Sequence, residues 1–399
     1  MGKLLFVKQK DIGETIYYCT FTYALILSFL LGSNFVPLVS EKVIHWLLYF
    51  AIGVLLVKIY AIDSYELQEI ILKSLIIVLA MISWRLVKNV NVLLYFCFIL
   101  GAKGVKFRRI VQIFFGTIGI LLAGTILMSQ ANVVNDFIYL RDGHNRHSLG
   151  ISYPTDAAAY FFYLVLAYYY LIFNKITWRS YVAIAVIDFV IYEVTQARNS
   201  FLLILLTIPT IWVAQRASQG HLISRGLASF YWIFPSLVAY CTVLLSYLYR
   251  AKSGLFRIVN HALSGRLELS HQAIERHGFS ILGQHFRENG WGGSRGFKNF
   301  YKPGFSYFYI DSSYIRLAVI YGLIIAIIIV VFMTVIAYHS IASHEFVLAA
   351  IIMLISIHCI VEQHLMDFSY NPFLLALFAS LPSGSIKNTR ISGGKHERN

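Results

Sequence analysis

The sequence predicts an all-α polytopic membrane protein, and three observations carry that reading. First, 58% of its 399 residues are hydrophobic against 13% charged, with a mean hydropathy of +0.68. A soluble domain of this length cannot hide that much apolar surface, so lipid must serve as part of its solvent. Second, apolar runs near the roughly 20 residues needed to cross a hydrocarbon core recur along the whole chain. Third, the charges fall between those runs. A membrane β-barrel would instead show short alternating strands, and none is visible.

In order, the apolar runs give about twelve transmembrane helices, near 16–38, 43–60, 69–86, 88–101, 110–128, 155–173, 181–197, 199–214, 228–248, 312–338, 346–362 and 370–382. The first follows "MGKLLFVKQKDIGET" and lacks a small-residue cleavage site, so it reads as a retained helix and not a signal peptide. Loops are brief except 129–153 and 249–311. Within the second of these, apolar and charged residues recur at helical spacing over 267–277, which predicts an amphipathic helix on the outer surface. The chain therefore divides into spans one to nine (1–248), a large, partly helical extracytoplasmic loop (249–311), spans ten to twelve (312–382) and a basic cytoplasmic tail (383–399). No internal repeat is visible, which argues against transporters built from inverted repeats.

The net charge of +14 would suit nucleic acid, but no basic block with interleaved aromatics forms a groove-binding face. With both termini cytoplasmic, fifteen Lys and Arg residues fall in inner segments: Lys3, Lys8, Lys10, Lys103, Lys106, Arg108, Arg109, Lys175, Arg179, Arg216, Arg225, Lys387, Arg390, Lys395 and Arg398. Six fall in the short outer loops: Lys42, Arg85, Lys88, Arg141, Arg146 and Arg198. That is the bias expected of cytoplasmic loops, although the acidic segment "IDSYELQE" (62–69) runs against it. In this orientation Arg146, His147, Arg198, the long loop and Glu362 share the outer face. Cys19, Cys97, Cys241 and Cys359 lie in apolar runs without a CxxC and read as reduced packing residues.

Five polar groups interrupt the apolar pattern. In "HNRHSLGISYP", Pro154 suits the first turn of a helix, where its missing N–H costs nothing, and Gly150 lets the chain fold closely over the helix end. Arg146 then sits near a helix N-terminus, which favours an anion; a headgroup-seeking interfacial Arg is the alternative. "EVTQARNSF" (193–201) holds Arg198, with Glu193 and Asp188 inside the preceding span. An Arg198–Glu193 ion pair is one reading, and a functional cavity, where costly intramembrane charges usually face, is the other. "LSGRLELSHQAIERHGFSILGQ" (263–284) carries Arg266, with His271 and His277 as exposed loop histidines or catalysts. "YIDSSYIRLAVIYG" (309–322) opens span ten, where Asp311 is expected to cap the helix and has a second candidate role as a base. "HCIVEQHLMDFSYNP" (358–372) places His358 and Glu362 four apart on one helix face.

"GGSRG" (292–296) matches G-x-S-x-G but lacks the strand–turn–helix that a nucleophile elbow requires. There is no Walker A sequence, HExxH or D-x-D pair, which disfavours ATP coupling and metal-bound sugar nucleotides. Several outward-facing arginines point instead to an anion at the membrane surface, because the guanidinium stays charged and grips phosphate bidentately. A polyprenyl diphosphate fits, with its tail in lipid and its diphosphate among arginines. Were that diphosphate to leave, the arginines would stabilise the developing charge, and a nearby carboxylate or imidazole would accept the proton of an attacking sugar hydroxyl. Aromatics, dense over 291–314, would stack on sugar faces.

The ordered set R-H-x-x-G-x-x-x-P, T-Q-A-R-N-S, S-G-R-L and D-S-S-Y-I-R-L-x-x-x-Y-G, then a Glu ahead of N-P, resembles the Wzy-type polysaccharide polymerases of the O-antigen polymerase and ligase superfamily. The resemblance covers about 140–375. It implies a GT-C-like membrane fold in a bacterial plasma membrane. The implied reaction is inverting, metal-independent transfer of a glycan from undecaprenyl diphosphate to the acceptor sugar of another lipid-linked repeat, without a cofactor. It further implies that Arg146, Arg198 and Arg266 contact the diphosphate, and that Tyr153, His271, Tyr314 and Arg316 contact substrate. Where ligase relatives carry a His-Asn pair, this chain has Asp311-Ser312, closer to the polymerases. Asp311 is therefore the first choice of base, with Glu362 and His147 in reserve. A chain-length regulator and a flippase are the implied partners. A ligase of the same superfamily is the near alternative. A transporter of lipid-linked sugars, using Asp188 and Glu193 as ion sites, is the distant one.

Overall fold

The computed structural model describes residues 2–35 and 39–381, with residues 2–10 as backbone alone. The tail expected at 383–399 lies outside the described residues. The helices in chain order are α1 (Gly2–Leu31), α2 (Glu41–Val57), α3 (Leu67–Val87), α4 (Val90–Gly101) and α5 (Phe107–Gln130). A hairpin, β1 (Ile138–Arg141) and β2 (His144–His147), precedes α6 (Pro154–Ile172), α7 (Trp178–Thr195), α8 (Arg198–Ser218), α9 (Leu222–Ala228) and α10 (Phe234–Tyr247). The long loop contains α11 (Gly254–Ala262), α12 (Arg266–His277) and α13 (Gly293–Phe300), and the chain closes with α14 (Ser313–Arg316), α15 (Leu323–Ala342) and α16 (Phe346–His358).

Eight helical segments among the described residues are long and apolar enough to cross a membrane. Their outward faces are apolar: Trp46, Leu67 and Ile120 are each more than 70% exposed. Such faces are tolerable only against lipid, and the chain is a multi-pass membrane protein by that criterion. The amphipathic helix read at 267–277 is α12, buried along Leu267, Ser270, Ala273 and Ile274.

Two apolar helices are too short to span. At about 1.5 Å per residue, α4 covers little more than half of a hydrocarbon core. Every residue of α4 except Asn91 is buried, so it is an inner helix, apolar all round because protein surrounds it. Its C-terminal carbonyls would be orphaned there. Lys73 Nζ donates to Leu100 O at 2.9 Å, and Lys58 Nζ donates to Gly101 O at 2.8 Å while pairing with Asp63. Two buried lysines thus cap a helix end whose dipole favours cations. The other short helix, α16, packs between α8 and α15.

The twelfth expected span, 370–382, is not a helix. Over its described part the chain makes a 3₁₀ turn at Phe373–Leu377 and then extends, with Ser380 N donating to Val105 O and Phe107 N to Ser380 O. The reason lies at "SYNP". Pro372 has no N–H to give, and Asn371 Oδ1 takes the Phe373 N–H at 3.1 Å, ahead of any helical partner. Tyr95 Oη donates to Asn371 O. Irregular backbone at this depth is tolerated because protein covers it: Leu365, Phe373, Leu374 and Leu375 are fully buried.

Span ten is also interrupted. A π-helical turn, Leu317–Tyr321, ends at Gly322, whose φ is +101°. A Cβ there would lie 2.6 Å from Gly283 N, so only glycine admits the loop segment 280–284 at this point. That segment docks through Leu323 N to Ser280 O (2.8 Å) and Gln284 N to Ile320 O (2.9 Å). The long loop is thereby fastened to the helix that begins beside Asp311.

Candidate active site

A cavity of about 420 Å³ is lined by Arg141, Arg146, Arg198 and Arg266, with Tyr153, Trp291, Tyr307 and Asp311. The three arginines expected to share one anion reach it from three separate elements. Arg146 is on β2, opposite Tyr139 in a hairpin closed by the two-residue turn Asp142–Gly143. An Asp-Gly pair between short extended runs is the usual signature of such a hairpin. Arg146 is 5% exposed; its Nε donates to Thr195 O at the end of α7 (3.1 Å) and its Nη1 to Tyr153 Oη (3.4 Å). Burial lowers its pKa, but a guanidinium stays charged at any physiological pH. Arg198 is the exposed first residue of α8. It makes no ion pair with Glu193 among the described residues, so that reading of "EVTQARNSF" does not hold. Arg266 is the first residue of α12, where the helix dipole favours an anion.

Gly150 has φ +80°, and a Cβ there would stand 2.7 Å from Thr125 Cγ2, so the chain folds tightly against α5 as expected. Pro154 occupies the first turn of α6. Together they bring Tyr153 to the cavity lip, its ring 5.5 Å beneath the Arg146 guanidinium.

Arg266 also anchors two carboxylates. Its Nε is 3.6 Å from Asp311 and its Nη2 3.4 Å from Glu362. Asp311 was expected to cap the helix that follows it. Ser312 occupies the N-cap position of α14 instead, and the Asp311 carboxylate turns to Arg266, the nearest charge able to compensate its burial. Burial raises the pKa of Asp311, with Arg266 and Arg316 opposing. Burial likewise raises Glu362, to about 7, against Arg266. Burial works against the charge of Arg266, but Asp311 and Glu362 outweigh it and its pKa rises. Glu362 is 1% exposed, beyond the end of α16, and its Oε2 has no hydrogen-bond partner. It lines neither this cavity nor the next, so it stands behind Asp311.

A larger cavity, about 620 Å³, shares part of its lining with the first: Tyr153, Thr155, Trp291, Tyr307 and Asp311 line both. Its own lining includes Asp156, Arg287, Asn289, Arg295, Asn299, Tyr309 and Gln363. Behind it lies a group that sequence reasoning missed. His364 Nδ1 is 2.9 Å from Asp367 and Nε2 is 3.3 Å from Asp156. Burial alone would lower the His364 pKa, but the two carboxylates raise it to about 10, so it is an imidazolium. The signal lay in "EQHLMD", where a His and an Asp three apart interrupt an apolar run.

The remaining expected residues line neither cavity. His147 Nδ1 is 2.6 Å from Asp136, whose other oxygen accepts from Leu149 N; it closes the hairpin and lines neither cavity. Tyr314 is buried and donates to Ser356 O at 3.0 Å. Arg316 pairs with Glu288 at 2.9 Å and donates to Ile310 O, propping the strand of loop that leads to Asp311. His271 contacts Ser246 O and Glu275 beside a separate cavity at Tyr247–Arg250. His277 stacks on Phe286, with ring centres 3.7 Å apart. His358 stacks on Phe162 and is not paired with Glu362, whose side chain turns to Arg266.

No family model matches the chain, and neither a curated protein nor a solved structure matches it.

Proposed function

We propose that the chain is a glycosyltransferase that polymerises lipid-linked oligosaccharide repeats. The growing glycan passes from undecaprenyl diphosphate to the acceptor sugar of another lipid-linked repeat, at the outer face of a bacterial plasma membrane. One observation carries this reading. Arg146, Arg198 and Arg266, far apart in sequence, line one cavity with a carboxylate, Asp311, in its wall. Arginines converging from a hairpin and two helix N-termini suit a diphosphate. Its lipid tail would lie against the apolar helix faces that already meet the bilayer.

In this reading Asp311 accepts the proton of the acceptor hydroxyl as its oxygen attacks the anomeric carbon from the side opposite the diphosphate. The bond between that carbon and the diphosphate oxygen breaks, and the electron pair leaves with the undecaprenyl diphosphate. The arginines are already in place for the charge that develops on it. A single displacement inverts the anomeric centre and calls for no metal. The GT-C-like architecture, both termini in the cytoplasm, and a chain-length regulator and flippase as partners belong to the same proposal. A ligase of the same superfamily would use the same cavity with a different acceptor. Transport through Asp188 and Glu193 has less support, because Asp188 is buried in α7 while Glu193 is exposed.

The test is substitution of Arg146, Arg198 or Arg266 by Ala or Lys in cells that make the polymer. Chain growth should stop while single repeats still reach the outer face. Loss of outward repeats in those cells would sink the polymerase reading in favour of transport.

A further inference from the structure

The two cavities differ in chemistry as well as size. In the smaller, four arginines face three carboxylates, Asp142, Glu268 and Asp311. In the larger, three of the four carboxylates are already paired inside the protein, Glu288 with Arg316, Asp311 with Arg266 and Asp156 with His364. That leaves Arg287 and Arg295 with Glu41, among the uncharged amides of Asn289, Asn299 and Gln363. Its volume of about 620 Å³ lies in the range of small-molecule sites.

The lining of the larger cavity has the two parts that sugar recognition needs. One is an aromatic wall: Trp291 and Tyr307 have ring centres 4.0 Å apart, and both line the cavity, with Tyr309 beside them. Such rings present an apolar face with polar edges. The other part is a set of neutral and fixed polar groups: Asn289, Asn299, Gln363 and the Asp156 carboxylate. Asp156 sits in the first turn of α6 and is held from behind by His364 Nε2 at 3.3 Å and Gln363 Nε2 at 3.4 Å. His364 itself is pinned on its other side by Asp367 at 2.9 Å and by a Tyr370 ring stacked 3.8 Å away. With a carboxylate on each ring nitrogen, His364 has no free position from which to take a proton. It is built to fix Asp156.

We propose that the larger cavity is the acceptor-sugar site, that it takes a neutral glycan, and that Asp156 orders the glycan's hydroxyls with His364 as its positioning residue. This rests on the transferase reading of the smaller cavity. The two sites then meet at Asp311, in the wall common to both. The donor's anomeric carbon comes from the arginine side and the attacking hydroxyl from the aromatic side. The proton passes to the Asp311 carboxylate, and the diphosphate departs on the arginine side.

The experiment uses the purified full chain in nanodiscs and two soluble probes. One is inorganic pyrophosphate. The other is the oligosaccharide freed by mild acid from the lipid-linked repeat of the producing cells. Asp156→Asn and Asn299→Ala should each weaken oligosaccharide binding about tenfold or more and leave pyrophosphate binding as in the parent. Arg146→Ala should do the reverse. Oligosaccharide binding should be level between low and high salt, whereas pyrophosphate binding falls as salt screens the arginines. With lipid-linked repeats, His364→Gln should raise KM for the acceptor more than it lowers kcat, and His364→Ala should do so more severely. Oligosaccharide binding that survives both Asp156→Asn and Asn299→Ala, or that collapses with salt, would overturn the assignment. A chain that binds the oligosaccharide as expected but never pyrophosphate would leave this site standing and defeat the diphosphate reading instead.

Discussion

Arg266 Nε stands 3.6 Å from the Asp311 carboxylate while the same guanidinium reaches Glu362 at 3.4 Å, so one arginine compensates two acids, Asp311 half-buried and Glu362 buried. Removing it differs in kind from removing its neighbours. Arg198 is exposed, and Arg146 is tied to a carbonyl and a phenol with no carboxylate in its hydrogen-bond set. Loss of one partner from a buried pair costs about 3–5 kcal/mol because the other charge is stranded. Thermal unfolding in detergent should therefore show Arg266→Ala well below Arg146→Ala and Arg198→Ala, with Arg266→Lys between. Equal melting temperatures for the three Ala variants would mean that Arg266 does not hold the two acids together.

The position of Asp311 in the wall of both cavities predicts an order among the three candidate bases. Asp311→Asn should reduce the transfer rate by about 10²–10⁴, the range expected for a general base, without changing pyrophosphate affinity more than a few-fold. Glu362→Gln should cost less, since it reaches the reacting atoms only through Arg266. His147→Ala should lower stability through its lost contact with Asp136 and leave the rate of the folded fraction near the parent. A rate loss at His147 equal to that at Asp311 would reverse this order.

The pH dependence of stability carries the same sign for two buried groups, in two separate pH windows. Glu362 binds its proton more tightly folded than unfolded, so stability falls as pH rises from about 4.5, its ordinary value, to about 7. His364 is also raised, to about 10; its contribution is full below its ordinary 6.5 and is lost as pH climbs through 10. Melting curves of Glu362→Gln should lose the decline between pH 5 and 7 that the parent shows, on the order of its cited shift. His364→Gln should instead flatten the decline on the alkaline side. A parent whose stability rises between pH 5 and 7 would contradict the first of these.

How far the chain explains itself can be judged residue by residue. The long apolar runs are legible because lipid demands length and hydropathy together. Spans four and twelve were equally apolar in sequence, and only the surroundings separate them. The run at 90–101 is a short helix wrapped in protein, whereas that at 370–381 cannot stay helical past Asn371-Pro372. The arginines stood out because charges at a span mouth are costly and few. His364, Asp156 and Glu288 did not, because each depends on a partner remote in sequence: Gln363 and His364 reach back to Asp156, and Arg316 reaches Glu288. Asp311 was expected as a cap from its place before a helix, and a charge on another helix decided otherwise.

The break at Gly322 ties the long loop to the helix after Asp311 and gives a prediction away from the cavities. Gly322→Ala must place a Cβ 2.6 Å from the backbone of Gly283 at a φ that L-residues avoid. The strain, about 1–3 kcal/mol, should release segment 280–284. Limited proteolysis should then cut the long loop faster than in the parent, while the helix ends remote from that loop stay protected. Unchanged proteolysis would show that the docked segment does not depend on this glycine.

The most direct test of the central claim is elongation by the purified chain in nanodiscs, supplied only with lipid-linked single repeats and read as product length on a gel. The account predicts a ladder of lengthening glycans with release of undecaprenyl diphosphate. It also predicts no ladder from folded Arg146→Ala or Asp311→Asn. Single repeats left unextended by the folded parent chain, or a ladder undiminished in both variants, would contradict it.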